Sequence, residues 1–136
     1  MMRKILVFII FITGLFSCHK SQPKIINFYY WKSIDVIDSN TIDYLNDVGT
    51  KKIYLRCFDI QFVNNAKQQG AFPVSISEVN IQSLKDGFQV IPVVFIENQV
   101  FKHLASEDLV ILANQFFEKV SNMFDGKISQ LQIDCD

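Results

Sequence analysis

Cysteine, clustered basic residues and glycine-rich motifs are scarce or missing in this sequence. Its 136 residues include three Cys, too few for a disulfide scaffold. The formal net charge is −1 and Lys and Arg do not cluster, which excludes a basic surface for nucleic acid. The chain has no Gly-rich phosphate loop, no nucleophile elbow and no CxxC pair. These absences remove the common motifs of nucleotide binding, serine hydrolysis and thiol redox chemistry.

Apolar residues, in contrast, are plentiful enough for one folded domain. Hydrophobic residues make up 49% of the chain and charged residues 20%, which excludes a disordered chain. Thirteen Phe, four Tyr and one Trp supply material for a core. At roughly 100–200 residues per domain, the length allows one domain besides any targeting segment.

The N-terminus has the pattern of a signal peptide. Arg3 and Lys4 precede an apolar run over residues 5–16. A membrane-spanning helix needs about 20 apolar residues, whereas a basic start and a run of about 7–15 are typical of a signal peptide. We therefore predict a signal peptide over residues 1–17 that ends before Cys18. The alternatives are an ordinary secretory signal with an incidental Cys, or a short buried core helix.

The end of this run, Leu15-Phe16-Ser17-Cys18, resembles the bacterial lipobox. The resemblance implies cleavage before Cys18, acylation of its thiol, and the membrane as a partner. Each buried CH₂ contributes about 0.8 kcal/mol, so two or three acyl chains would hold the protein durably on a bilayer. Residues 18–23 then form the lipidated Cys and a tether, and residues 24–136 the domain. The anchor implies a cell-envelope location. Because His19 stands where an inner-membrane retention signal would place Asp, we expect the outer membrane, facing the periplasm.

The remaining chain alternates strand and helix patterns. The predicted strands are 24–31, 51–58, 88–96 and 127–136, with a small additional strand at 72–76 and a loop or ragged helical turn over 64–70. The predicted helices are a short one capped by Ser39 or Asn40 and ended by Gly49, and a long one over 107–124 capped by Ser106. A turn is expected at 84–87 and an irregularity at Pro92. Strand starts about 28 to 40 residues apart are typical of βα units with parallel strands.

The last predicted strand decides between two architectures. Alternation places Gln130, Gln132, Asp134 and Asp136 on one face and Leu131, Ile133 and Cys135 against the helices. A doubly wound sheet is covered on both faces, where four polar residues in a row would be costly to bury. In a barrel mouth they line a wet site. Because a full barrel needs about 250 residues, we predict an α/β fold that is half of a TIM-type (β/α)8 barrel with about four strands, truncated or split.

Four blocks of the sequence resemble one family. These blocks are 28–31 (FYYW), 55–59 (LRCFD), 91–98 (IPVVFIEN) and 131–136 (LQIDCD). They look like an uncharacterised group of bacterial lipoproteins that is assigned by similarity to the barrel glycosidases. Asp134-x-Asp136 is also similar to the middle of the chitinase-type D-x-x-D-x-D-x-E motif. Leu131 stands at the first Asp of that motif, and the position of its general acid lies beyond Asp136.

Asp134 and Asp136 are the predicted catalytic residues. They share a strand face about 7 Å apart. Paired carboxylates can perform acid–base chemistry or bind Mg²⁺ or Ca²⁺. Otherwise they are the solvated charges of a strand end. No other cofactor or metal is expected, since His103 has no His or Cys partner at metal spacing.

Five further residues are predicted to bind substrate: Arg56, Asp59, Tyr30, Trp31 and Gln132. Arg56 lies in an apolar strand, so it needs a carboxylate partner, either Asp59 or Asp134, for a substrate contact or a purely structural ion pair. Two of the aromatic residues that end the first strand can stack on a sugar ring, although core packing is the commoner role.

Two functions from different classes fit this sequence. The first is a lipid-anchored, glycoside-hydrolase-like barrel that binds or processes carbohydrate, with this chain alone inactive. The second is a non-catalytic lipid-anchored binding or scaffold module. A third function, metal-dependent sugar transfer, is less favoured than these two. Because four strands cannot close a barrel of eight, we also expect self-association through the open sheet edges.

Overall fold

The computed structural model describes residues 25–33 and 37–135. The predicted signal peptide, Cys18 with its tether, and Asp136 lie outside these residues. The strands are β1 (Ile26–Tyr30), β2 (Thr50–Asn65), β3 (Gln68–Val74), β4 (Gln89–Ile96) and β5 (Gln132–Cys135). The helices are α1 (Ser39–Asp47), α2 (Gln82–Lys85), α3 (Asn98–His103) and α4 (Ser106–Met123). None of the helices in the described residues is long and apolar enough to cross a membrane.

Four parallel strands form the main sheet, in the order β1-β2-β4-β5. The short strand β3 pairs antiparallel with the far end of β2. The hydroxyl of Tyr29 on β1 donates to Oε1 of Gln132 on β5 at 2.9 Å. In a flat sheet these strands would be three spacings of about 4.8 Å apart and their side chains would not meet. The sheet is therefore curled like half a barrel, which confirms the α/β class with about four parallel strands.

The β2–β3 hairpin differs from the predicted loop over 64–70. The turn is closed by Asn65, whose side-chain oxygen accepts from the backbone nitrogens of Lys67 and Gln68, both at 2.9 Å. Asn in this role mimics a backbone turn and allows a tight reversal. The residues around the turn are exposed, so their polarity reflects an uncovered hairpin tip and not the absence of strands.

A β-bulge in β2 places two charged residues on the same face. Arg56 pairs with Val93, but Phe58 pairs with the next residue, Val94, so Cys57 is extra. Without the bulge, residues 56 and 59 would point to opposite faces. With it, Phe58 points to the helices and Asp59 joins Arg56. The irregularity expected at Pro92 is thus in the neighbouring strand, and β4 is continuous through Pro92.

The helix boundaries follow local capping chemistry. The Asp38 carboxylate accepts from the Thr41 amide at 2.8 Å, and this bond lowers the pKa of Asp38. Asp38, and not Ser39 or Asn40, is thus the N-cap of α1. Gly49, at φ +75°, follows α1 as expected. The predicted Ser106 cap is wrong, because α4 begins at Ser106 and Ala105 precedes it without a side-chain cap.

The core lies between the helices and the convex face of the sheet. It is built from Ile53, Leu55, Phe58, Val94, Ile96, Leu84, Val100, Leu112, Phe116, Val120 and Phe124. The buried face of α4 consists of Leu112, Phe116 and Val120, whereas Ala113 and Phe117 are exposed. Ile133 is 49% exposed and Cys135 is exposed too, so the expectation that helices cover this side of β5 is wrong. The buried face of α4 packs beside Ile60 of β2 and leaves β5 uncovered.

The two thiols in the described residues should react very differently. Cys57 is fully buried, and burial raises its pKa to about 12, so it stays protonated at neutral pH. Cys135 is exposed. We expect iodoacetamide to modify Cys135 in the folded protein and Cys57 only after unfolding, as read by peptide mass mapping. Modification of both in urea is the control, and equal modification of both in the folded state would contradict the buried position of Cys57.

Candidate functional site

The concave face of the curled sheet collects the polar and aromatic residues of the strands. The register gives three successive rows across the sheet: Tyr29 and Tyr54 in the first, Arg56, Val93 and Gln132 in the second, and Asp59, Phe95 and Asp134 in the third. The third row lies toward the carboxyl ends of the parallel strands. In (β/α) barrels that end of the sheet carries the active site.

One side of this face is a wall of three stacked aromatic rings, Tyr54, Tyr29 and Trp31, which we call the aromatic wall. The Tyr29 and Tyr54 rings lie 4.5 Å apart between centroids and 12° from parallel. The Tyr29 and Trp31 rings lie 5.8 Å apart and 11° from parallel. Tyr29 is 46% exposed and Trp31 44% exposed, so the wall combines ordered rings with surface that a ligand can reach.

An ion pair stands beside the aromatic wall. The Nε atom of Arg56 donates to Oδ1 of Asp59 at 2.7 Å, and Nη2 donates to Oδ2. The Asp59 carboxylate is buried, whereas the Arg56 side chain is 27% exposed and its Cζ atom lies 5.8 Å from the centroid of the Trp31 ring. Two of the five guanidinium N–H groups are used in this pair, which leaves three for a ligand. Of the two carboxylate partners considered for Arg56, the structure selects Asp59.

The opposite side of the face is formed by β5. The side-chain oxygen of Gln132 accepts from Tyr29, so its amide N–H groups remain as donors. Asp134 is half-buried and, within the described residues, forms no hydrogen bond or ion pair. It shares a row with Asp59 two strand spacings away, about 9.6 Å between backbones. Asp136 lies outside the described residues, so its pairing with Asp134 stays a prediction.

The structure brings together most of the residues predicted to bind substrate. Arg56, Asp59, Trp31 and Gln132 share the concave face. Tyr30 lies on the other face of β1, where it packs against the hydrophobic core. Tyr29 takes its place on the concave face. Tyr54 also lies on this face, although it was not among the predicted site residues. Strict alternation carries the signal for both, because residues 29 and 31 must share a strand face, as must residues 54 and 56.

No metal site is formed by the described residues alone. Over 25–33 and 37–135, no group of three or more His, Cys, Asp and Glu side chains is arranged to hold an ion. His103 instead stacks on Phe62 at 4.5 Å, and its Nδ1 atom lies 2.8 Å from the carbonyl oxygen of Gln99. A divalent cation at Asp134 and Asp136 stays a prediction, since one of its two ligands lies outside these residues.

The concave face offers aromatic rings, guanidinium and amide donors and a carboxylate within three rows of side chains. Rings stack on the C–H faces of sugars, while N–H donors and carboxylates bond their hydroxyl groups. The arrangement can therefore bind a small polar molecule that has one apolar face. Comparisons with protein-family models, curated proteins and solved structures gave no match to this chain.

Proposed function

We propose that this chain is a lipid-anchored cell-envelope protein and the N-terminal part of a glycoside-hydrolase-like (β/α)8 barrel that binds or processes carbohydrate. The observation that carries the proposal is the aromatic wall beside the Arg56–Asp59 ion pair, on the concave face of a curled parallel sheet. The envelope location rests on the sequence pattern that ends at Cys18, with the outer membrane facing the periplasm as the proposed site.

A sugar ring has complementary contacts on this face. Its apolar side would stack on the aromatic wall, mainly on Trp31, which is 44% exposed and lies beyond Tyr29 toward the carboxyl ends of the strands. The free guanidinium N–H groups of Arg56 and the amide of Gln132 would donate to the hydroxyl oxygens of the sugar. Asp134 would accept hydroxyl protons, or act as the acid or base of a hydrolytic reaction.

The described residues favour binding over turnover. Glycoside hydrolysis needs two carboxyl groups on opposite sides of the scissile bond in a site that excludes water. Asp59 is neutralised by Arg56, so Asp134 is the single unpaired carboxylate in the three rows. We therefore propose that this chain alone binds glycans without cleaving them, and that cleavage requires the remaining strands of a barrel.

Replacing Trp31 by alanine should weaken glycan binding by about tenfold or more, because truncating an aromatic hot spot at a binding centre costs about 2 kcal/mol or more. The measurement is isothermal titration of the full chain in detergent with a panel of oligosaccharides. Phe101→Ala is the matched control, since Phe101 is also 44% exposed but lies on α3. The two variants binding equally well would contradict the site, and no binding of any glycan by the parent chain would contradict the function.

The second candidate, a non-catalytic module, is favoured by the uncovered edge of the sheet. Strands β1 and β5 are the edges of the described sheet. Two large apolar side chains are exposed near this edge, Ile133 on β5 and Phe117 on α4. An exposed edge strand flanked by apolar side chains pairs readily with another chain. We propose self-association through these edges, read as a molar mass above the monomer by light scattering. Ile133→Lys should lower that mass, and an unchanged monomer in both proteins would contradict the proposal.

A further inference from the structure

We infer that the concave face selects amino sugars with free, protonated amines over neutral and acidic sugars. The inference rests on the proposed carbohydrate function and names the class of ligand. It follows from the ion pair that neutralises Asp59, from the Asp134 carboxylate that has no such partner, and from the aromatic wall on the opposite side of the same face.

The charges of Arg56 and Asp59 cancel within their ion pair. Asp134, in the same row as Asp59, is half-buried and makes no hydrogen bond or ion pair with the described residues. Glu97 follows β4 directly at the same end of the sheet. Lys52 is at the amino ends of the strands, and Lys32, which follows β1 at the carboxyl end, has an interaction of its own. Asp134 is therefore the carboxylate of the three rows that no described cation neutralises.

The aromatic wall also favours a positively charged ligand. Aromatic ring faces carry negative potential and attract cations. Trp31 already faces one cation in this way, since the Arg56 Cζ atom lies 5.8 Å from its ring centroid. A sugar that stacks on the wall and bears an ammonium group would meet both the ring faces and the Asp134 carboxylate.

The same groups disfavour the other two classes of sugar. A neutral or N-acetylated sugar would cover the half-buried Asp134 carboxylate and remove water from it without supplying a positive charge. An acidic sugar would in addition be repelled by that carboxylate, and the Arg56 charge that would attract it is neutralised by Asp59. The expected order of affinity is therefore amino sugar, N-acetylated sugar, acidic sugar.

The test compares three tetrasaccharides: one of glucosamine, one of N-acetylglucosamine and one of galacturonic acid. Each is titrated calorimetrically into the full chain in detergent, at a pH where the glucosamine amines are protonated. The glucosamine tetramer should bind about tenfold more tightly than the N-acetylated one, as expected for a partly desolvated charge pair with cation–π contacts. The galacturonate tetramer should bind most weakly.

Variants assign this preference to a single carboxylate. Asp134→Asn should lower the affinity for the glucosamine tetramer and remove its tenfold advantage over the N-acetylated one. Asp134→Glu should keep the preference. Asp108→Asn is the control, because Asp108 is an exposed acidic residue on α4, off this face. Circular dichroism of each variant establishes that it is folded.

The outcomes separate this inference from the function on which it rests. Binding of all three tetramers with equal affinity, or a preference that persists in Asp134→Asn, overturns the inference and leaves carbohydrate binding intact. If the chain binds none of the three tetramers and no other oligosaccharide of the panel, the proposed function itself is overturned. A tenfold preference that Asp134→Asn removes and Asp134→Glu retains supports both.

Discussion

Replacing Phe58 by alanine should lower the free energy of unfolding by about 3–5 kcal/mol, the usual cost of truncating a buried aromatic side chain. Phe58 is fully buried on the convex side of the sheet, directly after the bulge, and Nζ of Lys119 lies 5.8 Å from its ring centroid. Its loss would leave a cavity at the junction between the sheet and α4. The measurement is urea unfolding followed by far-ultraviolet circular dichroism.

Phe117→Ala provides the matched control for Phe58→Ala. Phe117 is 52% exposed on α4, and removing it should change the free energy of unfolding by no more than about 0.5 kcal/mol. If Phe58→Ala were equally mild, the core between the helices and the convex face would not be where the packing places it.

The second large effect is expected from breaking the Arg56–Asp59 ion pair. Asp59→Ala leaves the guanidinium of Arg56 in a half-buried position without its carboxylate, which should cost about 2 kcal/mol in unfolding free energy. The figure is below the 3–5 kcal/mol typical of fully buried pairs because the Arg56 side chain is 27% exposed. Thermal or urea unfolding gives the value.

A double variant separates the stability of this ion pair from its role in the site. Arg56→Met combined with Asp59→Leu removes both charges and should recover most of the lost stability, as apolar replacements of buried pairs often do. It should not recover glycan binding, because the free N–H groups beside Trp31 are gone. A double variant as unstable as Asp59→Ala would show that the pair itself, and not the unpaired charge, determines the loss.

The sequence predicted the features of the fold that arise from repeated local patterns. The order of βα units, the parallel strands and the end of the first helix all follow from periodicity and from helix-stopping residues such as Gly49. Alternation in the last strand placed Gln132 and Asp134 together on one face, and the structure confirms it. The choice of a barrel over a flat sheet rested on that polar row, and the curled sheet agrees with it.

Two features of the site depend on neighbours that a single strand cannot reveal. Alternation alone would place Arg56 and Asp59 on opposite faces, and it is the bulge at Cys57, defined by pairing with β4, that brings them together. The tip of the hairpin between β2 and β3 has few apolar residues, so the composition of this segment did not indicate that β2 pairs with β3. Tyr29, by contrast, was accessible to strict alternation, which excludes Tyr30 from the face of Trp31.

The hydrogen bond between Tyr29 and Gln132 joins residues 103 positions apart, and it has a consequence for how the protein forms. At a synthesis rate of about 5–20 residues per second, β1 exists for about 5–20 s before the strand that closes the face is made. During that interval the aromatic rings of Tyr29 and Trp31 have no opposite wall. Of the described strands, β5 is thus the one that completes the concave face, and a ligand that contacts both sides of this face would slow the reopening of β5.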